Sequence, residues 1–285
     1  MRSSTYTTNY QNELTQRTVP SYEEIQGTAN AIATVTVNGL NAYRNGEYFR
    51  YELPVSNTSG SAYTAVTVTS AVSGLSETTN GTVYSPRSWH GLIYDDDGNL
   101  LGDGRWSYTW NGENRLISME GTYVWSGGQT QRRRIEFKYD GKGRRIEKKV
   151  YQFNTSSNSF SDFIESWTYI YDGWNLIAEI RKAPSNEGIH RSYVWGPDLS
   201  GSMQGAGGVG GLLMVTDLTG ASDEHHYVGY DGNGNVAVIV DANTGAISGR
   251  YEYGPFGEPL RASGNSIASD YPFRFSTKFT DKESG

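Results

Sequence analysis

The sequence predicts an all-β protein, a curved antiparallel sheet of repeated hairpins preceded by a small β-module. Three observations point there. Glycine supplies 35 of the 285 residues, well above the roughly 7% of average proteins, and turn dipeptides recur along the whole chain. Tyrosine (21) and tryptophan (7) are plentiful beside phenylalanine (9), and with Thr and Val they suit pleated, half-buried surfaces. Helical periodicity is scarce, its best candidate being the short stretch Tyr22 to Gln26.

Residues 1–29 read as an N-terminal extension and 30–83 as a small β-sandwich-like module. In the module Ile32, Thr34 and Thr36 alternate with Ala33, Val35 and Val37, the period of a strand with one buried face. Asn38-Gly39 and Asn45-Gly46 supply turns, and Glu47 to Val55 and Ala62 to Val72 add strands. The polar stretch Ser73 to Gly81 reads as the module's end, with disorder as its plain alternative.

From residue 84 to 192 a unit recurs: an aromatic residue, a polar turn with glycine, then an apolar residue. Its aromatic and glycine positions are Tyr94 and Gly98, Trp110 and Gly112, Tyr139 and Gly141, and Tyr171 and Gly173. Tyr230 and Gly232 repeat it in the last region, 193–285. Each unit reads as a strand ending in Tyr or Trp, a tight turn whose glycine can take φ > 0, and a returning strand. Asp or Asn at the turn bonds local backbone amides. Flanking strands agree: Trp106, Tyr108 and Trp110 share one face, as do Ile135, Phe137 and Tyr139. A lone hairpin is unstable in water, so the units are expected to pair laterally in one sheet.

Several blocks resemble the RHS family, whose tyrosine–aspartate (YD) repeats the hairpin units match. Tyr193 to Ser202, the glycine run Gly205 to Gly211, Tyr230 to Val236, Tyr251 to Leu260 and Tyr271 to Lys278 are similar to the RHS repeat-associated core domain. Gly104 to Trp110 and Asp172 to Glu179 extend the resemblance, which covers roughly residues 84–285. It implies a bacterial YD-repeat shell, secreted or at the cell surface in the full-length protein, that encloses or presents a C-terminal effector. The family's core domain continues past the position of Gly285, and a self-cleaving aspartate motif follows it in toxin-bearing members. The resemblance thus implies a non-catalytic scaffold segment of a polymorphic toxin, without its closing segment, protease or cargo. Its partners would be the remainder of the shell and the effector.

Motifs that invite chemistry have plainer readings. Cysteine is absent, which removes disulfides, thiolate nucleophiles and cysteine-bound metal. Gly205, Gly207 and Gly210 satisfy G-x-G-x-x-G, but Leu212 to Thr216 after them is strand-like and no helix follows, so a close backbone crossing is expected. Asp95, Asp97 and Asn99, and likewise Asp231, Asn233 and Asn235, alternate like calcium loops yet lack the glycine and glutamate such a loop needs. His225 and His226, adjacent in an extended segment, point to opposite faces, while His90 and His190 stand apart. No catalytic residue, cofactor or metal ligand is therefore assigned.

Six glutamates, Glu113, Glu120, Glu136, Glu147, Glu165 and Glu179, are spread over separate strands or turns. A closed pocket with two converging carboxylates, one of raised pKa, would favour an enzyme. An exposed Tyr and Trp row would favour a module binding carbohydrate or a cell-surface protein. The formal charge of −7 argues against nucleic acid, although Gln131 to Val150 carries nine Lys or Arg and three acids. Within it Arg132, Arg133, Arg134, Arg144 and Arg145 are candidates for electrostatic contact, and a solvated hairpin facing acidic parts of the same molecule is the simpler expectation.

No apolar run reaches 18 residues, so no membrane-spanning helix is expected, and the N-terminus lacks a signal peptide's apolar core. Near the C-terminus, Tyr271, Phe273, Phe275, Thr277 and Phe279 alternate with Pro272, Arg274, Ser276 and Lys278. This reads as an edge strand with an uncovered aromatic face, prone to self-association.

Overall fold

The computed structural model describes residues 4–121 and 132–283. Met1 to Ser3, Ser284, Gly285 and, from the basic stretch, Gln131 lie outside the described residues. Contacts divide the chain into two compact units, Met1–Phe137 with Val150–Phe163, and Lys138–Lys149 with Ile164–Gly285.

In the first unit β1 (Tyr6–Thr8), β2 (Leu14–Thr18), β3 (Tyr22–Thr28), β4 (Thr34–Val37) and β5 (Leu40–Asn41) come first. They are followed by β6 (Tyr43–Asn45), β7 (Tyr48–Pro54), β8 (Ala62–Val72), β9 (Leu75–Ser85) and β10 (Trp89–Gly91). These strands form three small sheets, of order β1-β2-β10, β3-β7-β6 and β5-β4-β8-β9. Val37, Leu53 and Val66 are buried together, with Ile25, Tyr51 and Val83 packed against them.

Two expectations change here. Tyr22 to Gln26 lies in strand β3, not in a helix, because β3 pairs with β7 from Tyr22↔Pro54 to Thr28↔Tyr48. A one-turn helix forms too few hydrogen bonds to compete. Ser73 to Gly81 is ordered as the turn and first half of β9, which pairs with β8 from Ala62↔Ser85 to Val72↔Leu75. Its side chains look polar because most of β9 is exposed.

The remaining strands make one antiparallel sheet of fourteen, each hydrogen-bonded to its sequence neighbours. They are β11 (Ile93–Tyr94), β12 (Leu100–Gly102), β13 (Trp106–Trp110), β14 (Leu116–Gly121) and β15 (Arg133–Tyr139). Next come β16 (Arg145–Asn154), β17 (Ser159–Asp172), β18 (Asn175–Ala183), β19 (Asn186–Trp195) and β20 (Leu212–Asp217). The last are β21 (Glu224–Tyr230), β22 (Val236–Asp241), β23 (Ile247–Tyr253) and β24 (Pro259–Gly264).

One device builds these hairpins. In six of them the register slips just before the closing aromatic, which then faces the first apolar residue of the return strand. In five of the six the aromatic tip reaches back one strand and donates to a backbone carbonyl, while Tyr94 Oη donates to Leu14 of β2 (3.0 Å). Trp110 Nε1 donates to Leu100 (2.8 Å), Tyr171 Oη to Arg145 (2.9 Å), Trp195 Nε1 to Leu176 (2.7 Å), and Tyr253 Oη to Val236 (2.8 Å). Tyr230 Oη donates to Leu212 in the same way. Each ring therefore fills the bulge and satisfies a strand-end carbonyl in one contact.

The turns show which residue of each unit is left-handed. Asp95 and Gly98 behave as expected, the carboxylate accepting from the Asp97 and Asn99 amides while Gly98 adopts φ +83°. In the turns opening at Asn111, Asp140 and Asp231, the left-handed residue is the fourth: Asn114 (φ +57°), Gly143 (φ +80°) and Gly234 (φ +76°). Gly112, Gly141 and Gly232 have no such φ. The amide of that fourth residue donates to the first residue's carbonyl, while the first side chain holds the amides of the third and fifth. Those bonds force the last turn residue into the left-handed region. Gly173 is left-handed in a tighter turn, with Asp172 facing Asn175.

Candidate functional site

Strands β17–β23 bury Trp167, Tyr169, Leu176, Tyr193, Leu212, Val215, Val236, Ile239 and Tyr251 on one face. The same core contains Ile267, Ala268, Tyr271 and Phe273 from the segment that follows β24. This part of the sheet is therefore curved around its own C-terminal segment. The segment carries a short helix, α1 (Ser266–Asp270), then irregular chain with a 3-10 turn at Phe275–Thr277. Gly249 makes room for the helix, since a Cβ there would stand 2.9 Å from the Ala268 Cβ.

The edge-strand expectation for Tyr271 to Phe279 is thereby corrected. Tyr271 is 1% exposed and Phe273 5%, whereas Phe275 is 37% exposed. Phe273 meets Tyr193, Trp195 and Phe279 edge-on, with ring centroids 5.1, 5.4 and 5.6 Å away. Only the Phe273↔Phe279 bridge is strand-like, because Ser276 and Thr277 (φ +51° each) turn the chain back on itself. The conformation of Thr277, rare for a β-branched residue, is held at two points. Its hydroxyl donates to the Gly234 carbonyl (2.8 Å) and accepts from the Gly210 amide (2.9 Å). The glycine run is thus a close backbone approach: a Cβ on Gly234 would fall 3.3 Å from the Gly210 nitrogen. Asp198 shapes this loop by accepting from Ser200 and from the Ala206 and Gly208 amides, which hold its carboxyl down at about 2.

Beneath the segment, within the second unit, lies a cavity of about 470 Å³ lined by Trp167, Tyr169, Glu179, Arg191, Tyr271 and Phe279, among others. Glu165 and Glu179, two of the six sequence glutamates, are both among its lining residues. Glu165 is held below the usual range: burial opposes its ionisation, but bonds from Trp167 Nε1 (2.9 Å) and Arg181 (2.7 Å) outweigh it. Glu179 is 1% exposed, and burial pushes its carboxyl up to about 7 against the pull of Arg191 and Lys148. The two carboxyls are driven apart, and both oxygens of Glu165 already accept hydrogen bonds from Trp167 and Arg181.

The basic stretch is neutralised at many points. Arg132 lies over Phe153 (4.1 Å) and Arg134 over Tyr151 (4.9 Å), and Arg144 pairs with Asp140 (2.7 Å). Arg145 pairs with Asp281 (2.7 Å), and Lys148 with Asp281 (3.3 Å) and Glu283 (2.9 Å), both on the C-terminal segment. Arg133 donates to the Arg132 carbonyl (3.3 Å). Sequence reasoning missed Arg191, 3% exposed, which joins Asp217 (3.4 Å) to Asp270 (2.7 Å). A lone arginine in a strand carries no signal of this.

The histidines are dispersed. His226 is fully buried against Ser248 (3.0 Å), and His225 meets Thr216 (2.9 Å) on the other face. Burial, aided by Arg191, lowers His190 to about 4. Among the described residues no three His, Asp or Glu side chains are grouped to hold a metal, and no helix is long and apolar enough to cross a membrane.

The fold and its repeated hairpin lock define a class: an all-β protein whose antiparallel sheet is built hairpin by hairpin, with β17–β23 curved around the C-terminal segment. No family model matches the chain. Among curated proteins it is similar to the tRNA3(Ser)-specific nuclease WapA of Bacillus spizizenii, 26% identical over 224 residues. That match covers 77% of this chain and 8% of the relative. The tRNA nuclease WapA of Bacillus subtilis is 26% identical over 194 residues, 68% of this chain and 7% of the relative. The chain thus spans less than a tenth of the length of these relatives.

Two solved structures align over 99% of the chain at 14% identity: the TcdB2-TccC3 crystal structure (TM-score 0.48, 14% of that chain) and the Photorhabdus luminescens Tc holotoxin pore (TM-score 0.49, 13% of that chain). The sequence matches are distant and agree with the YD-repeat resemblance.

Proposed function

We propose that this chain is a non-catalytic wall segment of a bacterial RHS/YD-repeat shell, which encloses or presents an effector carried elsewhere in a longer protein. The observation that carries this reading is the hairpin lock. It recurs from Trp110 to Tyr253 and spends the polar tips of the conspicuous aromatics on carbonyls of neighbouring strands. Aromatics used in this way build a wall and leave little over for chemistry. The nuclease activity in the relatives' names would belong to other parts of such a protein, since the match covers only 7–8% of them. On this reading the chain's partners are the rest of the shell and its effector, and its setting is outside the cell or at its surface.

Electron cryomicroscopy of the full-length protein tests the proposal. The expected result is a continuous wall of further hairpins, with this sheet inside it and enclosed density beyond. A sheet standing alone as an outward-facing module would overturn the reading. A matched assay should find no tRNA cleavage by the 285-residue chain.

A further inference from the structure

The sequence holds five Asn-Gly pairs, at 38–39, 45–46, 80–81, 111–112 and 233–234. Such a pair converts itself when the glycine amide nitrogen attacks the asparagine side-chain carbonyl carbon, an approach that no Cβ on the glycine obstructs. Four of the five are held against it. Asn38 Nδ2 donates to the Ala65 carbonyl (3.0 Å), and its Oδ1 accepts from the Thr67 amide (2.7 Å). Asn80 stands within the β8–β9 ladder opposite Thr67, whose hydroxyl donates to its Oδ1 (2.8 Å). Asn111 Oδ1 accepts from the amides of Glu113 and Arg115 (3.0 Å each). At Asn233 the attacking group itself is engaged: the Gly234 amide donates to the Asp231 carbonyl (3.1 Å), and Gly234 is buried.

Asn45-Gly46 carries none of these restraints. Both residues are exposed, and among the described residues the Asn45 carboxamide has no hydrogen-bond partner and the Gly46 amide donates to no backbone carbonyl. Asn45↔Tyr48 is the last rung of β6, itself the edge strand of the sheet β3-β7-β6, so freeing it breaks little. Arg44 Nη2 lies 2.9 Å from the Gly46 carbonyl, a cation close enough to favour the anionic, attacking form of the amide. We propose that Asn45 is a site of spontaneous deamidation that unlatches β6. The Gly46 amide gives its proton to solvent, its nitrogen bonds to Asn45 Cγ, and the Cγ–Nδ2 bond breaks as ammonia leaves with a proton from solvent. Water then opens the succinimide. Cleavage between the nitrogen and Cγ leaves aspartate, whereas cleavage at the main-chain carbonyl leaves isoaspartate, with the side-chain methylene now in the backbone. That extra carbon falls beside the tight turn Gly46-Glu47, where the Asn45↔Tyr48 rung cannot absorb it. The bond from Arg44 to the Gly46 carbonyl is lost with the rung.

Peptide mapping by mass spectrometry tests this on the 285-residue chain, aged in mildly alkaline buffer both folded and in urea. An isoaspartyl methyltransferase serves as the probe for isoaspartate. In urea the five pairs should convert at similar rates. In the folded chain Asn45 should convert at least about tenfold faster than the other four, since it has no hydrogen bond to break first, and isoaspartate should appear at position 45. Hydrogen exchange over Tyr43–Asn45 should then rise in the aged protein. Freshly prepared Asn45→Asp has the same added charge without the longer backbone, and should exchange there like the unaged parent. The proposal is overturned if folded Asn45 converts as slowly as the other four, if another pair leads, or if no isoaspartate forms at 45. Equal exchange over Tyr43–Asn45 in aged protein and fresh Asn45→Asp would overturn the unlatching.

Discussion

Phe273→Ala separates a C-terminal segment that fills the sheet from one that caps its edge. Phe273 is 5% exposed and meets three aromatic rings edge-on, those of Tyr193, Trp195 and Phe279. Truncating a buried phenylalanine costs about 3–5 kcal/mol when the site cannot collapse. Collapse is hindered here, because the surrounding rings stand on paired strands and on a segment tied down at Thr277 and Asp281. Phe275 is the control two residues away. It is 37% exposed and touches mainly Tyr253 and Gly257, so Phe275→Ala should cost about 1 kcal/mol. Urea denaturation followed by tryptophan fluorescence, with sedimentation at matched concentration, reads both variants. If the two cost the same, or if Phe273→Ala costs under about 1 kcal/mol and lowers self-association, the aromatic row is an exposed strand face and the packing argument fails.

Other expectations follow from the same segment. Burial raises Glu179 from 4.5 to about 7, so the unfolded chain ionises first and stability is complete below about pH 4.5 and lost as pH rises toward 7. Glu179→Gln should remove that loss, on the order of 3 kcal/mol at pH 8; parallel stability–pH curves for variant and parent would contradict it. Asp281 has the opposite sign. Burial opposes its ionisation, but Arg145 and Lys148 outweigh this and hold it below 3.8, so its contribution is present above that pH and lost as pH falls through the folded value. Asp281→Asn should cost about 1–3 kcal/mol near neutrality and much less in acid, with hydrogen exchange at Tyr271–Phe279 rising at neutral pH; unchanged exchange would count against the clamp. Gly234→Ala should destabilise by more than about 1 kcal/mol through its φ of +76° and a 2.5 Å approach to Val209. Gly141→Ala meets nothing and should be near neutral in the same thermal melts.

The hairpins were legible in the sequence because everything that makes them is local. An aromatic, an Asp or Asn, a left-handed residue and an apolar residue stand within a few positions of one another, and their mutual bonds set the register. Even so, the sequence does not say which glycine of 141–143 or 232–234 is left-handed, because composition marks a turn without marking which amide closes it; the structure puts that role on Gly143 and Gly234. Glu179 could be named as one carboxyl among six, but its neighbour Arg191 and its raised pKa arise from burial, and no spacing encodes burial.

The C-terminal segment shows the limit most plainly. Alternation in Tyr271 to Phe279 correctly reports a two-sided segment, yet period two cannot say whether the apolar side meets a new strand or the hollow of its own sheet. That choice rests on contacts from Arg191 to Asp270, 79 residues apart, and from Arg145 to Asp281, 136 apart. The sequence by itself determined the class of sheet and the chemistry of its turns, since those energies are short-ranged. Only the tertiary structure decided that Tyr271 and Phe273 are core and Phe275 is not, because burial depends on where the segment meets the concave face of β17–β23.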